Sequence, residues 1–288
     1  MDDSLRVLLA RRLGSPVTHE RSLPGGDIND AHALTLEDGR RLFLKTQRRA
    51  PPGFFESEAL GLDWLRAAAV IRIPRVIAVA DATDPVPFLV LELLESAPPQ
   101  RLFDEVLGQR LAALHQTSPG TLGFPRDNFI GLLPQSNATT SSWAEFWRAR
   151  RLEPQLRRCV DAGRASYTLR RGFERLFASL PELLGPEEAP ARLHGDLWGG
   201  NLHVDDAGEP ALLDPAVYAG SREVDLAMMR LFGGFSERVF QAYAEAYPLA
   251  PGADERVTLY QLYPLLVHAN LFGGSYARSV ERALAQYV

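Results

Sequence analysis

The sequence predicts an α+β protein of two lobes: a small antiparallel-sheet N-lobe over 1–95 that carries one key helix, and a larger, mainly helical C-lobe over 96–288. Three observations predict this division. Short apolar strands joined by turn residues fill the N-terminal third, a polar proline-rich break follows at 95–99, and apolar residues with helical spacing dominate the rest. We expect the two lobes to act as one functional unit.

Composition sets limits on the class of protein. The chain has 288 residues and a formal net charge of −5, which offers no general attraction for nucleic acid or anionic membrane. Its single cysteine, Cys159, excludes an intramolecular disulfide and favours a reducing compartment. There is no signal-peptide pattern and no apolar run of about 18 residues. We therefore expect a cytoplasmic protein without nucleic-acid or membrane partners; the oligomeric state stays open, and a monomer is compatible with the sequence.

The first turn of interest is the segment 23–29, which lies between two predicted strands and contains Gly25 and Gly26. Adjacent glycines allow backbone N–H groups to approach a phosphate closely. Taken alone, the pair is also typical of a plain hairpin turn, and the chain contains neither a Walker A sequence nor a dinucleotide-binding fingerprint. Together with the motifs below, it favours a nucleotide contact.

A lysine and a glutamate form the next pattern. The apolar strand 42–45 ends in Lys45, which by itself is compatible with a solvent-exposed lysine at a sheet edge. In the helix that follows, Glu58 shares one stripe with the apolar residues Phe55, Leu62 and Leu65. A carboxylate on such a stripe is costly unless it is paired. We therefore predict a Lys45–Glu58 ion pair that holds the lysine against the phosphates of ATP.

The connection between the lobes follows the apolar strand 87–94. A polar, proline-rich stretch after an apolar run is a natural boundary. In a two-lobed nucleotide site, the backbone of this connection binds the adenine edge, which assigns Glu92, Leu93 and Leu94 to a hinge. An ordinary central strand followed by a loop is also compatible with the sequence.

The strongest functional signal is the run His-Gly-Asp-Leu-Trp-Gly-Gly-Asn at 194–201, followed thirteen residues after Asn201 by Asp214. Phosphoryl transfer to an alcohol needs a carboxylate near the attacking hydroxyl and oxygen ligands for Mg²⁺. Asp196 fits the first role, and Asn201 and Asp214 fit the second. A polar loop with a helix cap would explain the first run alone, but not the second aspartate.

A hairpin is predicted between these ligands. The segments 202–204 and 211–213 have strand character, and the intervening 205–209 contains turn residues. Such a hairpin would fold Asp214 back toward Asn201.

The spacing of apolar residues predicts a mainly helical C-lobe. Predicted elements are a helix ending near His115, one opened by a capping box at 142–145, and helices over 174–184, 223–232, 237–247 and 254–272. The sequence Leu-Phe-Gly-Gly occurs at 231–234 and again at 271–274, which we interpret as two similar helix ends. His115, near a helix C-terminus, is more typical of a dipole partner than of a catalytic group.

These helices are expected to build the acceptor site. Trp198 is suited to stacking on a sugar or to wedging the loop in place. Asn128 and His268 are suited to a substrate contact, although a packed loop or a satisfied core network would equally explain them. Asp225 is predicted to anchor the 194–201 loop by hydrogen bonds without taking part in the chemistry.

Taken together, these motifs resemble the fructosamine kinase family over about Leu5 to Tyr287. His-Gly-Asp also marks aminoglycoside and choline phosphotransferases; the narrower motifs are Asp-Leu-Trp-Gly-Gly-Asn at 196–201, Asp-Pro-Ala-Val-Tyr at 214–218 and Asn-Leu-Phe-Gly-Gly at 270–274. The resemblance implies a protein-kinase-like fold of the aminoglycoside-phosphotransferase type. It also implies an ATP- and Mg²⁺-dependent kinase that phosphorylates the sugar 3-hydroxyl of free or protein-bound ketoamines, after which the unstable adduct falls away.

Residue roles carried over from the family agree with those above: Asp196 is the proton acceptor, Asn201 and Asp214 hold Mg²⁺, and Lys45 with Glu58 holds the phosphates. Some relatives carry a redox-sensitive cysteine in the glycine loop, where this chain has Asp27, so we expect no redox control there. Two alternatives stay open: a phosphotransferase of the same fold acting on an aminoglycoside or choline-like alcohol, and a nucleotide-binding pseudokinase scaffold.

Overall fold

A computed structural model describes residues 1–24 and 29–288. Its contacts divide the chain into two compact units, one formed by 1–103 with 202–215 and the other by 104–201 with 216–288. The boundary expected after residue 95 thus lies eight residues before the end of the first segment (103 − 95 = 8). The first unit also includes the segment 202–215, which sequence reasoning placed in the C-lobe.

The first unit is built on a five-stranded antiparallel sheet. Its elements up to residue 103 are α1 (Asp3–Leu13), β1 (Val17–Ser22), β2 (Asp30–Leu36), β3 (Arg41–Thr46), α2 (Phe54–Arg66), β4 (Val76–Val79) and β5 (Phe88–Glu92). The strand order in the sheet is β1-β2-β3-β5-β4. Apolar side chains from β2, β3 and β5 pack with Leu5, Leu9 and Leu13 of α1 in one buried cluster. The burial of these apolar side chains accounts for the stability of the sheet.

The remaining elements are mostly helices. They are α3 (Phe103–Gln116), β6 (Asn128–Ile130), β7 (Leu133–Gln135), α4 (Trp143–Phe146), a π-helix (Trp147–Leu152), α5 (Glu153–Asp161), α6 (Tyr167–Leu183), β8 (Ala191–Leu193), a 3₁₀ turn (Gly199–Asn201), β9 (Leu202–Val204), β10 (Pro210–Leu212), β11 (Tyr218–Gly220), α7 (Glu223–Phe232), α8 (Glu237–Ala246), α9 (Ala253–Phe272) and α10 (Tyr276–Leu284). The strands β9 and β10 belong to the first unit, and the other elements belong to the second.

Most predicted helices are present, with shifted ends. The helix α7 has the predicted bounds, whereas α6 begins at Tyr167, seven residues before the predicted Glu174. Ser166 caps this earlier start, since its Oγ accepts the backbone N–H of Leu169 at 2.9 Å. The first turns also pack closely, because a β-carbon on Gly172 would lie 2.6 Å from the Leu284 side chain of α10. Residues with weak helix propensity are thus held in α6 by tertiary contact.

The predicted capping box opens α4. The backbone N–H of Glu145 donates to Ser142 Oγ at 3.2 Å. The reciprocal bond is displaced by one residue, because Glu145 Oε2 accepts from the backbone N–H of Ser141 at 3.2 Å. No helix among the described residues is both long and apolar enough to cross a membrane.

Candidate active site

The segment 194–201, which we call the Asp196 loop, leaves strand β8 and ends in the 3₁₀ turn. Strand β8 pairs with β11, and the backbone N–H of Ala216 donates to the carbonyl of His194 at 2.9 Å. Gly195 has φ +81°, and a β-carbon there would lie 2.1 Å from the carbonyl oxygen of Ala216. Only glycine fits at this position, directly before the predicted proton acceptor.

Asp196 and Asn201 are joined across the loop, and Asp196 is half-buried. The Nδ2 group of Asn201 donates to the backbone carbonyl of Asp196 at 2.8 Å and lies 3.4 Å from Asp196 Oδ2. Because the amide nitrogen is used as a donor, the amide oxygen is the atom suited to a metal ion. The spacing seen in the sequence therefore brings these two predicted residues together.

Asp225 anchors the loop, as predicted. Its two carboxylate oxygens accept the backbone N–H groups of His194 at 2.7 Å and Gly195 at 2.8 Å. The Asp225 side chain is fully buried, so these bonds lie away from solvent. The backbone immediately before Asp196 is thereby fixed at two successive residues.

A second anchor was not anticipated from the sequence. The N–H of Gly199 donates to the carbonyl of Gly233, just beyond the end of α7, at 3.1 Å. A β-carbon on Gly199 would lie 2.9 Å from the α-carbon of Gly234. The first Leu-Phe-Gly-Gly sequence thus ends a helix, as predicted, and also supports the Asp196 loop. The only available sequence signal was its repetition.

The predicted hairpin before Asp214 is present. Strands β9 and β10 pair with Val204 opposite Pro210 and Leu202 opposite Leu212. The carboxylate of Asp205 closes the turn by accepting the backbone N–H groups of Ala207 and Glu209 at 3.0 and 2.9 Å. The second strand starts and ends one residue earlier than predicted.

Asp214 itself has a left-handed backbone, with φ +53°. Such a conformation is uncommon for residues other than glycine, although aspartate and asparagine adopt it more readily than most. Strained backbone of this kind concentrates at functional sites. Ala69 has a similar φ of +55°, so the backbone conformation supports a special role for Asp214 only together with its ion pair to Lys45.

The predicted ion pair between Lys45 and Glu58 is confirmed. Lys45 Nζ donates to Glu58 Oε1 at 2.8 Å, and it also forms an ion pair with Asp214 Oδ1. The lysine is only 4% exposed. Burial alone would lower the pKa of Lys45, but the charges of Asp214 and Glu58 outweigh burial and raise it. Lys45 is therefore a permanent cation held between two carboxylates.

The structure shows which groups of the predicted hinge residue Glu92 are already hydrogen-bonded. Glu92 ends strand β5, and Leu93 and Leu94 lie beyond it. The Glu92 carboxylate accepts Arg75 Nε at 3.0 Å and lies 3.3 Å from Arg72 Nη2. The side chain of Glu92 is thus committed to arginines, and its backbone N–H donates to the carbonyl of Arg75 at 2.9 Å, which leaves any adenine contact to the other backbone groups of 92–94. The predicted residues Gly25 and Gly26, together with Asp27, lie outside the described residues.

The contacts of Asn128 favour the packed-loop alternative over a substrate contact. Its side chain is buried, and its Nδ2 group donates to the carbonyl of Val217 at 2.9 Å. Its Oδ1 atom accepts from Gln135 Nε2 at 2.9 Å and from Asn137 Nδ2 at 2.8 Å. An amide that is bonded within the core in this way has a structural role, holding the segment that follows Asp214.

Trp198 combines a packed side with an exposed side. A β-carbon on Gly200 would lie 2.3 Å from the Trp198 ring, so the indole rests on the backbone of its own loop. The residue is nevertheless 42% exposed. Trp198 therefore both packs on the loop and presents an exposed aromatic surface two residues after Asp196 in the sequence.

His268 lies in an aromatic cluster that the sequence analysis did not assemble. Its ring centroid is 4.5 Å from that of Phe232, 5.4 Å from Phe272 and 5.0 Å from Tyr276. The phenylalanines of both Leu-Phe-Gly-Gly sequences thus contact one histidine. His268 Nδ1 contacts the carbonyl of Pro264 at 2.8 Å, and burial lowers the pKa of the ring. A neutral ring whose Nδ1–H donates to this carbonyl has Nε2 as its acceptor atom.

Among the described residues, no group of three or more His, Cys, Asp or Glu side chains could hold a metal ion. Mg²⁺ in phosphoryl-transfer sites is instead held by one or two protein oxygens together with substrate phosphates. The chemistry of Asn201 and Asp214 fits that pattern.

Comparison with known proteins gives a match over the whole chain. A family model for fructosamine kinase matches residues 1–288. The probable ketoamine kinase slr1563 of Synechocystis is 39% identical over 96% of this chain and 94% of its own length. The chloroplastic protein-ribulosamine 3-kinase of Oryza sativa subsp. indica is 35% identical over 100% of this chain and 84% of its own length.

Solved structures agree with the sequence relatives. A Thermobifida fusca protein assigned as a fructosamine-3-kinase superposes with a TM-score of 0.90 at 36% identity, covering 100% of this chain and 99% of that one. A macrolide 2'-phosphotransferase of Brachybacterium faecium superposes with a TM-score of 0.64 at 20% identity, covering 99% and 98% of the two chains. This second likeness shows the fold alone, which is the phosphotransferase fold that the sequence predicts.

Proposed function

This chain belongs to the fructosamine kinase family, and from that membership we propose that it is an ATP-dependent kinase that phosphorylates the sugar 3-hydroxyl of ketoamines. Fructosamines and ribulosamines, free or attached to protein lysines, are the acceptor class. Phosphorylation would lead to release of the sugar and recovery of the amine. The observation that carries the proposal is the whole-chain family match, supported by the bonded Asp196 and Asn201 pair and by the buried Lys45.

Asp196 is proposed as the proton acceptor. Its backbone is fixed by the two Asp225 bonds just before it and by the Asn201 bond to its carbonyl. A carboxylate held in this way can orient an acceptor hydroxyl and take its proton as the bond to phosphorus forms. The transfer is direct, and no covalent enzyme intermediate is required.

Asn201 and Asp214 are proposed to hold Mg²⁺, through the Asn201 amide oxygen and the Asp214 carboxylate. The bound ion would neutralise charge on the phosphate oxygens. Lys45, held by Glu58, supplies a fixed cation for the phosphates of ATP. The backbone of 92–94 is proposed for adenine, and Gly25 with Gly26 for the phosphates.

The acceptor sugar is proposed to lie against the exposed face of Trp198. An aromatic ring that is 42% exposed beside the proton acceptor can stack on the apolar face of a sugar. The Nε2 atom of His268 would accept a hydrogen bond from an acceptor hydroxyl. A neutral ring is required for this contact, and the lowered pKa of His268 supplies one near pH 7.

The test is an assay of Mg²⁺- and ATP-dependent phosphorylation with ribulosyl-lysine, fructosyl-lysine, kanamycin and choline as acceptors. The measured quantity is the release of ADP. We expect turnover of the ketoamines only. The matched variant Asp196→Asn should lower kcat by about 10²–10⁴-fold while ATP still binds. Turnover of kanamycin or choline in preference to both ketoamines would overturn the proposed acceptor. Full activity of Asp196→Asn would remove Asp196 from the mechanism.

A cytoplasmic location is part of the proposal and rests on the single cysteine, Cys159, which is buried and unpaired with any other cysteine. Cell fractionation with an antibody against the chain tests it, and recovery with an organelle would contradict it.

A further inference from the structure

A buried chain of hydrogen bonds starts at the Asp196 loop and continues within the second unit, to which the loop itself belongs. It begins at Asp225, whose carboxylate accepts the two loop N–H groups described above. Asp225 Oδ2 also lies 3.2 Å from His115 Nε2, and His115 Nδ1 lies 2.9 Å from the hydroxyl of Tyr243. His115 and Tyr243 are 2% and 1% exposed, so water cannot substitute for either partner. His115 therefore has two specific partners instead of the helix-dipole role expected from sequence.

The donors and acceptors in this chain can be assigned. Burial would raise the pKa of Asp225, but hydrogen bonds from His115 and the loop outweigh it and lower the pKa, so the group is a carboxylate that only accepts. His115 Nε2 must then carry the proton it donates to Asp225. On the other side of the ring, His115 Nδ1 lies against the Tyr243 hydroxyl, a group that can donate as well as accept.

The 2.9 Å contact between His115 Nδ1 and the Tyr243 hydroxyl completes the chain, with the hydroxyl as donor when Nδ1 carries no proton. A hydrogen bond to one ring nitrogen commonly fixes which nitrogen of a histidine is protonated. The donors to the Asp225 carboxylate are thus His115 Nε2 and the backbone N–H groups of His194 and Gly195.

Close helix packing holds Tyr243 in place. A β-carbon on Gly108 of α3 would lie 2.4 Å from the carbonyl of Val239 and 2.9 Å from the backbone nitrogen of Tyr243 in α8. Gly108 and His115 are seven residues apart, two helical turns, and so share one face of α3. The glycine lets α8 approach closely enough for the Tyr243 hydroxyl to reach the histidine ring, whose centroid is 5.5 Å from that of Tyr243.

We propose that His115 and Tyr243 are positioning residues for Asp196, acting through Asp225 to hold the backbone of His194 and Gly195 in the orientation that phosphoryl transfer requires. The inference rests on the proposed function insofar as Asp196 is the proton acceptor. Neither residue touches a substrate. Their effect is on the chemical step, because a small displacement of a reacting group lowers the rate more than it lowers binding.

The kinetic test compares Tyr243→Phe, His115→Leu and His115→Gln. We expect Tyr243→Phe to lower kcat about tenfold and His115→Leu about 10–100-fold, each with the KM for ATP changed less than about twofold. His115→Gln can still donate to Asp225 and accept from Tyr243, so it should recover most of the loss. Tyr247→Phe is the matched control, because its ring lies next to that of Tyr243, with 6.5 Å between the ring centroids.

The result that would overturn the proposal is a kcat for folded Tyr243→Phe equal to that of Tyr247→Phe. Equal losses in His115→Gln and His115→Leu would also overturn it, since a donor to Asp225 would then have no effect. If His115→Leu fails to fold, Tyr243→Phe carries the test, because it removes one oxygen atom and keeps the ring.

A second measurement needs no turnover. Nitrogen-15 NMR of histidine-labelled protein should show a proton on His115 Nε2 at pH 7, and Tyr243→Phe should shift the Nδ1 signal of His115 while Tyr247→Phe leaves it unchanged. A wild-type ring without a proton on Nε2 would overturn the proposal. If the wild type did not phosphorylate ketoamines, the proposed function would be contradicted, but the positioning role of His115 and Tyr243 would not. The NMR measurement would then test that positioning role without any activity assay.

Discussion

Gly199 of the Asp196 loop and Gly234 beyond helix α7 are in direct backbone contact, with room for no side chain between them. A β-carbon on Gly234 would lie 2.6 Å from the α-carbon of Gly199. The contact joins the loop that carries the predicted proton acceptor to the helix that carries its anchor, Asp225. Both attachments of the loop therefore come from the two ends of α7.

This contact predicts that Gly234→Ala lowers kcat by more than about tenfold, because the new methyl group must push the loop away. Gly274→Ala is the control. Gly274 occupies the equivalent position of the second Leu-Phe-Gly-Gly sequence and also has a positive φ, but a β-carbon there would meet nothing within 4 Å. Steady-state kinetics and thermal unfolding of both variants separate two effects: a loss of stability from alanine at a positive φ, and a loss of activity from displacement of the Asp196 loop. Equal kcat values would show that the contact does not position the loop.

The Lys45–Glu58 pair predicts a separation of stability from activity. Lys45→Met should destabilise the protein by about 3–5 kcal/mol, because it leaves Glu58 buried without its cation. Adding Glu58→Leu should restore much of that loss, since a buried ion pair is replaceable by apolar side chains. The use of ATP should stay impaired in both variants. Urea unfolding and the KM for ATP test this, and wild-type ATP kinetics in the double variant would contradict the phosphate role of Lys45.

The left-handed backbone of Asp214 predicts different outcomes for two substitutions. Asp214→Asn keeps a residue that tolerates φ +53°, whereas Asp214→Ala should cost about 1–2 kcal/mol more in stability. Both remove the carboxylate proposed for Mg²⁺, so activity should fall in both alike. Parallel unfolding and Mg²⁺-titration measurements check this. Retention of Mg²⁺-dependent activity in Asp214→Asn would exclude the carboxylate as a ligand.

His268 predicts a contribution to the pH dependence of stability. Its pKa is lowered below 6.5 by burial, so below that pH the unfolded chain takes up a proton that the folded chain does not. The wild type should therefore lose stability at His268 as the pH falls through about 6.5. The His268→Gln variant should not lose stability in this way, because glutamine does not take up the proton. The difference in the free energy of unfolding between the wild type and His268→Gln should therefore narrow as the pH is lowered from about 7.5 to about 5.5. An unchanged gap, with His19→Gln at an exposed site as the control, would contradict this.

Sequence reasoning was most successful where chemistry and spacing reinforced each other. The ion pair of Glu58 followed from the cost of an unpaired carboxylate on an apolar stripe, and the hairpin before Asp214 followed from turn residues between two short apolar runs. Both features are local, or need only one partner from a neighbouring strand. Helix α7 was bounded correctly because Gly233 and Gly234 mark its end.

It was least successful where long-range packing decides the outcome. The side-chain amide of Asn128 hydrogen-bonds to residues near it in the sequence and to the carbonyl of Val217, which is 89 positions away. No local sequence pattern predicts the bond to Val217. The same holds for His115 and Tyr243, which are 128 positions apart. The sequence alone therefore does not distinguish a polar residue that binds substrate from one that is bonded within the core. The hydrogen-bond partners in the structure make that distinction.

The most direct test of the central claim is the position of the phosphate on the product. Fructosyl-lysine labelled with carbon-13 at C3 is incubated with the enzyme, Mg²⁺ and ATP, and followed by phosphorus and carbon NMR. We predict phosphorus coupling to the labelled carbon, followed by loss of the adduct and appearance of free lysine. Phosphate on another carbon, or ATP consumption that leaves the ketoamine unmodified, would contradict phosphorylation of the 3-hydroxyl.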